Sequence, residues 1–370
     1  MRSRTGAGSP ASSSASNGRS SGGPSRNMRA IRQPPPDCCA GPTDGCARPR
    51  RRDRVIDCHV HLAALRTEEN GCYISPRILR SPIFKFLAWK HNLNAQDAAW
   101  SNQKYVDDLL AELRKAKYVD KAVLLGMDGV YDTNGKLDLK STEFLIANDY
   151  VLNIARSYPN EFLPGVSINP QRRDAIEELE RCTEAGAALV KVLPNSQGFD
   201  PGNRQYIPFY RKLAQLSIPL LSHVGYEFSL IGKDQSAGDP NKLRVPLEEG
   251  ATVIAAHGCS NGLVAYEPYY RTLLGLVRRY VNFFADVSAL TLPNRFGMLW
   301  RLQRHPEVHA RLLFGTDYPL AVFHWPCWGR IGLRDFRTII RTNNRFDRKY
   351  LILKALGVGF RSVDQLMTAS

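Results

Sequence analysis

The chain has 370 residues, 43% hydrophobic and 9% aromatic, enough apolar material for a large core; a wholly disordered polymer is excluded. No apolar run approaches the ~18 residues of a membrane span, and the eight cysteines lack the regular spacing of a disulfide framework, which points to a reducing compartment. The formal charge of +15 is uneven: residues 1–54 hold eleven Arg against Asp37, Asp44 and Asp53, a net of +8, leaving +7 for the rest. That body shows no basic stripe with interleaved aromatics and no zinc-finger, RNP-type or zipper pattern, so nucleic-acid binding is not expected.

Residues 1–52 are Ser, Gly, Pro, Ala and Arg with hardly an aliphatic side chain. Such a segment buries too little apolar surface to offset its ordering entropy and is expected to be disordered. It lacks the apolar core of a secretory signal, so the expected location is cytoplasmic; its Arg- and Ser-rich, acid-free first 36 residues make an organellar transit peptide the alternative. Cys38, Cys39 and Cys46 fit no zinc spacing and are expected to be free thiols.

The folded part is expected over residues 53–370, where β-branched apolar runs alternate with segments of helical period. In chain order the runs are Val55–Leu62, Ala122–Val130, Phe162–Asn169, Ala188–Pro194, Pro219–Val224, Thr252–Gly258, Val281–Ala289 and Arg311–Tyr318. Helices are expected over Arg172–Ala185, which ends at Gly186, and over Tyr206–Leu216, Tyr269–Tyr280 and Tyr350–Leu356. Eight strand–helix units predict a (β/α)8 TIM barrel, with catalytic groups at the carboxyl ends of the strands. A doubly wound open sheet is the alternative, but the Gly-rich phosphate turn that would mark it is missing. The connection after the first run is unusually long. Its aromatics (Tyr73, Phe84, Phe86, Trp89, His91 and Trp100) predict a folded lid insertion over 63–120.

The histidines carry the chemical signal. Run one reads Val-Ile-Asp-Cys-His-Val-His-Leu, and alternation along a strand puts His59 and His61 on one face. Run five ends at His223, run six at His257, and run eight contains Gly-Thr-Asp-Tyr-Pro with Asp317; Lys191 lies inside the apolar fourth run. Each alone has an ordinary reading: a strand histidine is commonly a hydrogen-bonded core residue, an Asp after Gly-Thr a turn residue, a strand lysine a snorkelling cation. Barrel closure brings all of these strand ends around one axis, where the set suits a borderline divalent metal.

With that pattern in place, the chain resembles the amidohydrolase superfamily of metal-dependent hydrolases, specifically the amidohydrolase-related group that also contains decarboxylases of carboxylated aromatics. The resemblance rests on His59, His61, His223, His257 and Asp317, with the Gly after His257 and the Gly-Thr-Asp-Tyr-Pro segment, and it covers roughly residues 53–360. Lys191 falls where some relatives carry a carboxylated lysine bridging two metals; mononuclear relatives do without it, so one ion or two remain open. The Asn-Ala pair that many relatives carry near the start of the C-terminal helix is missing.

The resemblance implies a hydrolase in which His59, His61, His223 and Asp317 hold one divalent cation, expected to be Zn²⁺, and a metal-activated water attacks an amide, lactone or ester. Asp317 would also move the proton, and His257 would orient the nucleophile or stabilise the oxyanion. A decarboxylase using the same ligands is the first alternative and a non-catalytic metal-binding barrel the second. Asp57 is a candidate partner behind His59, and Thr316, Cys58 and Cys259 are expected to pack. The positive excess points to a small anionic substrate, with Lys242, Arg244 and Arg295 as candidate clamps, and Trp89, Trp100 and Tyr226 are candidate stacking residues for an aromatic one. The expected partner is thus a small molecule, with no nucleic acid or membrane, and a homo-oligomer is left open.

Overall fold

A computed structural model describes residues 54–367 apart from 91, 92, 95, 229, 231, 233 and 265. The Arg-rich segment 1–52, with Cys38, Cys39 and Cys46, and also His91 therefore lie outside the described residues.

The eight expected runs form one parallel sheet: β1 Val55–His61, β2 Val119–Leu125, β3 Phe162–Ser167, β4 Leu189–Val192, β5 Leu220–Ser222, β6 Val253–Ala255, β7 Phe283–Asp286 and β8 Leu312–Leu313. Each strand pairs in parallel with the next. Hydrogen bonds from Cys58 N to Phe314 O (3.0 Å) and His61 N to Tyr318 O (2.9 Å) join β1 to the segment after β8 and close the ring. A helix follows each strand: α1 Ala98–Arg114, α2 Asn148–Ser157, α3 Ala175–Glu184, α4 Ile207–Gln215, α5 Arg244–Glu248, α6 Tyr269–Arg279, α7 Phe296–Gln303 and α8 Arg345–Ala355. The fold is the expected (β/α)8 TIM barrel.

Two apolar layers hold it together. Inside the ring, Val123, Leu125, Leu189, Leu221, Ile254, Phe284 and Leu313 meet Cys58 and fill the barrel below the mouth. Outside, the helices bury one face each against the strands, as Tyr105, Val106, Leu109, Leu110 and Leu113 do for α1. α3 ends as expected, with Gly186 at φ +92 just beyond its C-cap.

The lid expectation over 63–120 needs correction. Residues 98–114 are α1, an ordinary barrel helix whose N-terminus is capped by the Asp97 side chain. The rest of the insertion contains the short helices Pro76–Arg80 and Pro82–Lys90 and a two-residue strand, Tyr73–Ile74, that pairs with Phe144–Leu145 beyond β2. Among the described residues no helix is long and apolar enough to cross a membrane.

Candidate metal centre

The ends of β1, β4, β5, β6, β7 and β8 bring a dense polar cluster into an otherwise apolar barrel. β1 carries a bulge: Asp57 faces Ala122 and Val60 faces Leu124, three steps on one strand against two on its partner. A bulge re-aims side chains. Cys58 accordingly joins the barrel-lining residues, while His59 and His61 converge, their Nε2 atoms 3.3 Å apart. Asp57 does not share the face of His59, as strict alternation required. It turns to the β8 side, where it accepts hydrogen bonds from the Thr316 hydroxyl (2.6 Å) and amide (3.1 Å). Thr316 is therefore a bonding partner as well as a packing residue. Burial pushes the Asp57 carboxyl up to about 7.

Asp317 is fastened beside His59 by its own amide, which donates to the His59 carbonyl at 2.9 Å. Its Oδ1 lies 3.1 Å from His61 Nε2 and 3.5 Å from His59 Nε2. Burial alone would raise this carboxyl, but His59, a hydrogen bond from His61 and the Lys191 cation outweigh it, and the group is held well below the usual carboxylate range. Gly315, two residues earlier, is closely packed: a Cβ there would stand 3.1 Å from the His59 Cβ and 3.3 Å from that of Ser288, so both would have to shift by a few tenths of an ångström. Asp317 (φ +69), His257 (φ +57) and Cys259 (φ +59) adopt left-handed backbone, a cost that surrounding structure must sustain and that gathers at functional sites.

Lys191 is buried, its Nζ 3.4 Å from His59 Nε2, and burial pushes its ammonium down. His257 and His223 are also buried, with His257 Nε2 3.2 Å from His223 Nδ1; burial first, then nearby Arg295, hold both imidazoles well below their ordinary pKa and therefore neutral. His223 Nε2 is buried without a hydrogen bond among the described residues, and the Glu227 carboxylate is 3.7 Å away.

Two residues were missed in the sequence. Asp286, the last residue of β7, bonds His59 Nδ1 at 2.7 Å, and Ser288 bonds His257 Nδ1 at 2.8 Å. The signal available was an acid inside the apolar run Phe-Phe-Ala-Asp-Val. Burial would raise Asp286, but His59 and the Ser288 hydroxyl more than offset it and keep the carboxyl low.

Among the described residues, donor atoms within 4.8 Å of one another occur in two sets, His59–His61–Asp317 and His59–His257–Asp286. In the second, His59 Nδ1 and Asp286 are already bonded to each other, so the first set suits a cation. The donor chemistry fits: two imidazole nitrogens and an ionised carboxylate, with the orphaned His223 nitrogen just beyond the strand that neighbours the one carrying Lys191. His223 stands further out than expected, linked to the others through His257. Cys259 has its thiol pushed up by burial, which disfavours a thiolate ligand.

The candidate substrate residues fare differently. Arg295 is buried and donates to the carbonyls of Ser260 (2.8 Å), Tyr226 (3.2 Å) and Val224 (3.5 Å), so its guanidinium fastens the loops after β5 and β6 and is not a free clamp. Lys242 pairs with Asp200 at 2.9 Å, and Arg244 is exposed at the start of α5. Trp89 and Trp100 are 74% and 47% exposed. Tyr226 is partly exposed and stacks on Phe228, ring centroids 6.1 Å apart. A separate small concavity opens between the loops after β2, β4 and β5, lined by Met127, Asp128, Thr142, Phe144, Ser196 and Leu230 and by none of the histidines.

The chain is thus a TIM barrel whose strand ends present a histidine pair, two further histidines and an aspartate, a donor set that could hold a divalent metal. The chain belongs to the amidohydrolase family, whose model, described as Amidohydrolase, matches residues 56–329. A search for curated relatives found no match. Among solved structures, the chain is similar to an uncharacterized TIM-barrel protein from Bordetella bronchiseptica (17% identity, 85% of this chain and 98% of that one, TM-score 0.55), a likeness of fold. It also matches a Pseudomonas putida protein provisionally described as 2-pyrone-4,6-dicarboxylic acid hydrolase (18% identity, 86% and 94% covered, TM-score 0.48). A third match is 2,6-dihydroxybenzoate decarboxylase from Rhizobium (15% identity, 86% and 99% covered, TM-score 0.49).

Proposed function

We propose that the chain is a metal-dependent hydrolase of a small aromatic or anionic ester, lactone or amide. One observation supports this above the rest: His59, His61 and Asp317, drawn from opposite ends of the folded sequence, present donor atoms within 4.8 Å of one another. These residues would hold one divalent cation, with Zn²⁺ the expected ion and His223 the further nitrogen available to it. A divalent ion in such a set supplies Lewis acidity, polarising a carbonyl and acidifying water toward neutral pH.

The chain's own residues do the rest. Asp317 is already ionised, and its Oδ2 lies on the His257 side, 3.9 Å from His257 Nδ1; it accepts a proton there. A carboxylate held so low is a weak base, so its first role is as a ligand and its second depends on exchanging its imidazole contacts for the reacting groups. Neutral His257 orients the nucleophile by accepting a hydrogen bond at Nε2, in exchange for its contact with His223. Lys191, its Nζ 3.4 Å from His59 Nε2, offers positive charge to negative charge that develops beside the histidine pair. The partly exposed Tyr226–Phe228 pair supplies an aromatic face at the mouth for stacking.

Metal analysis of the wild type beside His59→Ala and His61→Ala tests the reading. About one ion per chain, lost in both variants, is expected; absence of stoichiometric metal from the wild type would reduce the protein to a binding barrel. A panel of lactones, esters and amides set against carboxylated aromatics then separates hydrolysis from release of CO₂, and CO₂ alone would replace the hydrolase with a decarboxylase on the same residues.

A further inference from the structure

Asp286 and Ser288 touch neither His61 nor Asp317 in any hydrogen bond or ion pair described above, yet they tie together histidines from three strands. We propose that the Asp286 carboxylate, through Ser288, sets the tautomers of His59, His257 and His223, so that each carries its proton on Nδ1 and the Nε2 atoms of His59 and His223 are bare. The consequence for cation binding rests on the metal-site reading above; the proton order itself does not.

The argument is one of donors and acceptors. An ionised carboxylate only accepts. Asp286 Oδ2 is 2.7 Å from His59 Nδ1, so the proton of that ring is on Nδ1 and its Nε2 is bare. Lys191, a donor-only ammonium, stands 3.4 Å from that bare Nε2, which agrees. Asp286 Oδ1 receives the amides of His257 and Ser288, each at 2.9 Å, and the Ser288 hydroxyl in a very short contact. A serine hydroxyl has one proton, and here the carboxylate takes it. Ser288 Oγ is then an acceptor toward His257 Nδ1 at 2.8 Å, which fixes the His257 proton on Nδ1. The reverse direction would oppose lone pairs of Ser288 and Asp286 across their short contact.

His257 Nε2, now bare, lies 3.2 Å from His223 Nδ1, so His223 Nδ1 must donate. That leaves His223 Nε2 without a proton, in agreement with its being buried and without a hydrogen bond. The opposite tautomer would set two lone pairs against each other and bury an N–H with Glu227 3.7 Å off, beyond hydrogen-bond reach. Asp286 and Ser288 are thus positioning residues. They act through the rings they touch, and the metal-facing nitrogens are prepared before any ion arrives.

Long-range ¹H–¹⁵N correlation on the full chain, labelled with ¹⁵N-histidine and stripped of metal by chelator, reads the tautomers directly, with single His→Gln variants assigning each ring. His59, His223 and His257 are expected to show a protonated Nδ1 and a bare Nε2. Ser288→Ala should convert His257 and His223 to tautomer mixtures and leave the His59 proton on Nδ1, because the Asp286 carboxylate at 2.7 Å holds it there without the Ser288 hydroxyl, which lies 3.1 Å from the same nitrogen; Ser288→Thr should restore the wild-type pattern, and Asp286→Asn should disturb all three rings. A wild-type His223 or His257 protonated on Nε2, or a Ser288→Ala pattern identical to wild type, overturns the proposal. Zn²⁺ content, measured on the same protein after reloading, separates the two readings: ordered tautomers without zinc uptake sink the metal site alone, and zinc uptake with the wrong tautomers sinks the proton order alone.

Discussion

At the scale of single residues, the donor set makes the sharpest demands. Replacing Asp317 by Asn keeps the shape but removes the charge that His59 and His61 share. Metal affinity in Asp317→Asn is therefore expected to fall at least ~10-fold, read by competition with a chelator of known strength, with turnover falling in step. Unchanged affinity would place the cation elsewhere. Arg295 is expected to behave as a fastener. Arg295→Lys leaves buried carbonyls of Val224, Tyr226 and Ser260 short of donors, and should destabilise the fold by about 1–3 kcal/mol while changing KM alike for anionic and neutral substrates. A KM rise confined to anionic substrates would reinstate it as a clamp. Which residue types belong at the mouth was legible in the sequence, because imidazoles and a carboxylate ending apolar runs are costly without a use. Asp286 and Ser288 were not legible as members of the site: nothing local distinguishes a β7 acid that bonds a β1 histidine from one that caps a turn.

At the scale of elements, α8 contains the clearest liability. Lys349 is fully buried and its Nζ has no hydrogen bond among the described residues. Burial pushes its ammonium down to about 8, although Asp286, Asp57 and Asp317 pull the other way. Between that value and the ordinary 10.5 the unfolded chain binds more protons than the folded one, so this group makes stability rise with pH across roughly 8 to 10.5. Lys349→Met is expected to add about 1–3 kcal/mol at pH 7 and to flatten that rise, measured by denaturant unfolding at several pH values. A variant less stable than wild type at pH 7 would show that the amine has a partner worth more than its burial costs. Thr316→Val should cost about 1–3 kcal/mol, since it takes one of the donors from buried Asp57, which ties the segment after β8 to β1. In the insertion, exposed Trp89 tolerates Ala within about 0.5 kcal/mol, and a KM increase without a Tm change would mark it as a substrate contact.

At the scale of the whole molecule, deleting residues 1–52 is expected to leave turnover and Tm unchanged, because a sequence so poor in aliphatic side chains has little apolar surface to bury; a large loss of either would move the start of the folded part upstream. The alternation of apolar runs and helical segments determined the barrel from sequence alone, since the periods of strand and helix are local properties and eight repeats of them admit few topologies. It also determined that histidines and an aspartate would crowd one end, because a parallel sheet places every carboxyl end on the same side. Only the tertiary structure decided how they meet. A single bulged residue in β1 turned the Asp57 carboxylate toward Thr316, α1 reclaimed part of the expected lid, and Arg295, expected as a substrate clamp, was drawn onto carbonyls of the loops after β5 and β6. These outcomes depend on which atoms lie within about 3 Å across strands far apart in the chain, and such distances are set by closure of the ring and the packing inside it, which no local pattern encodes.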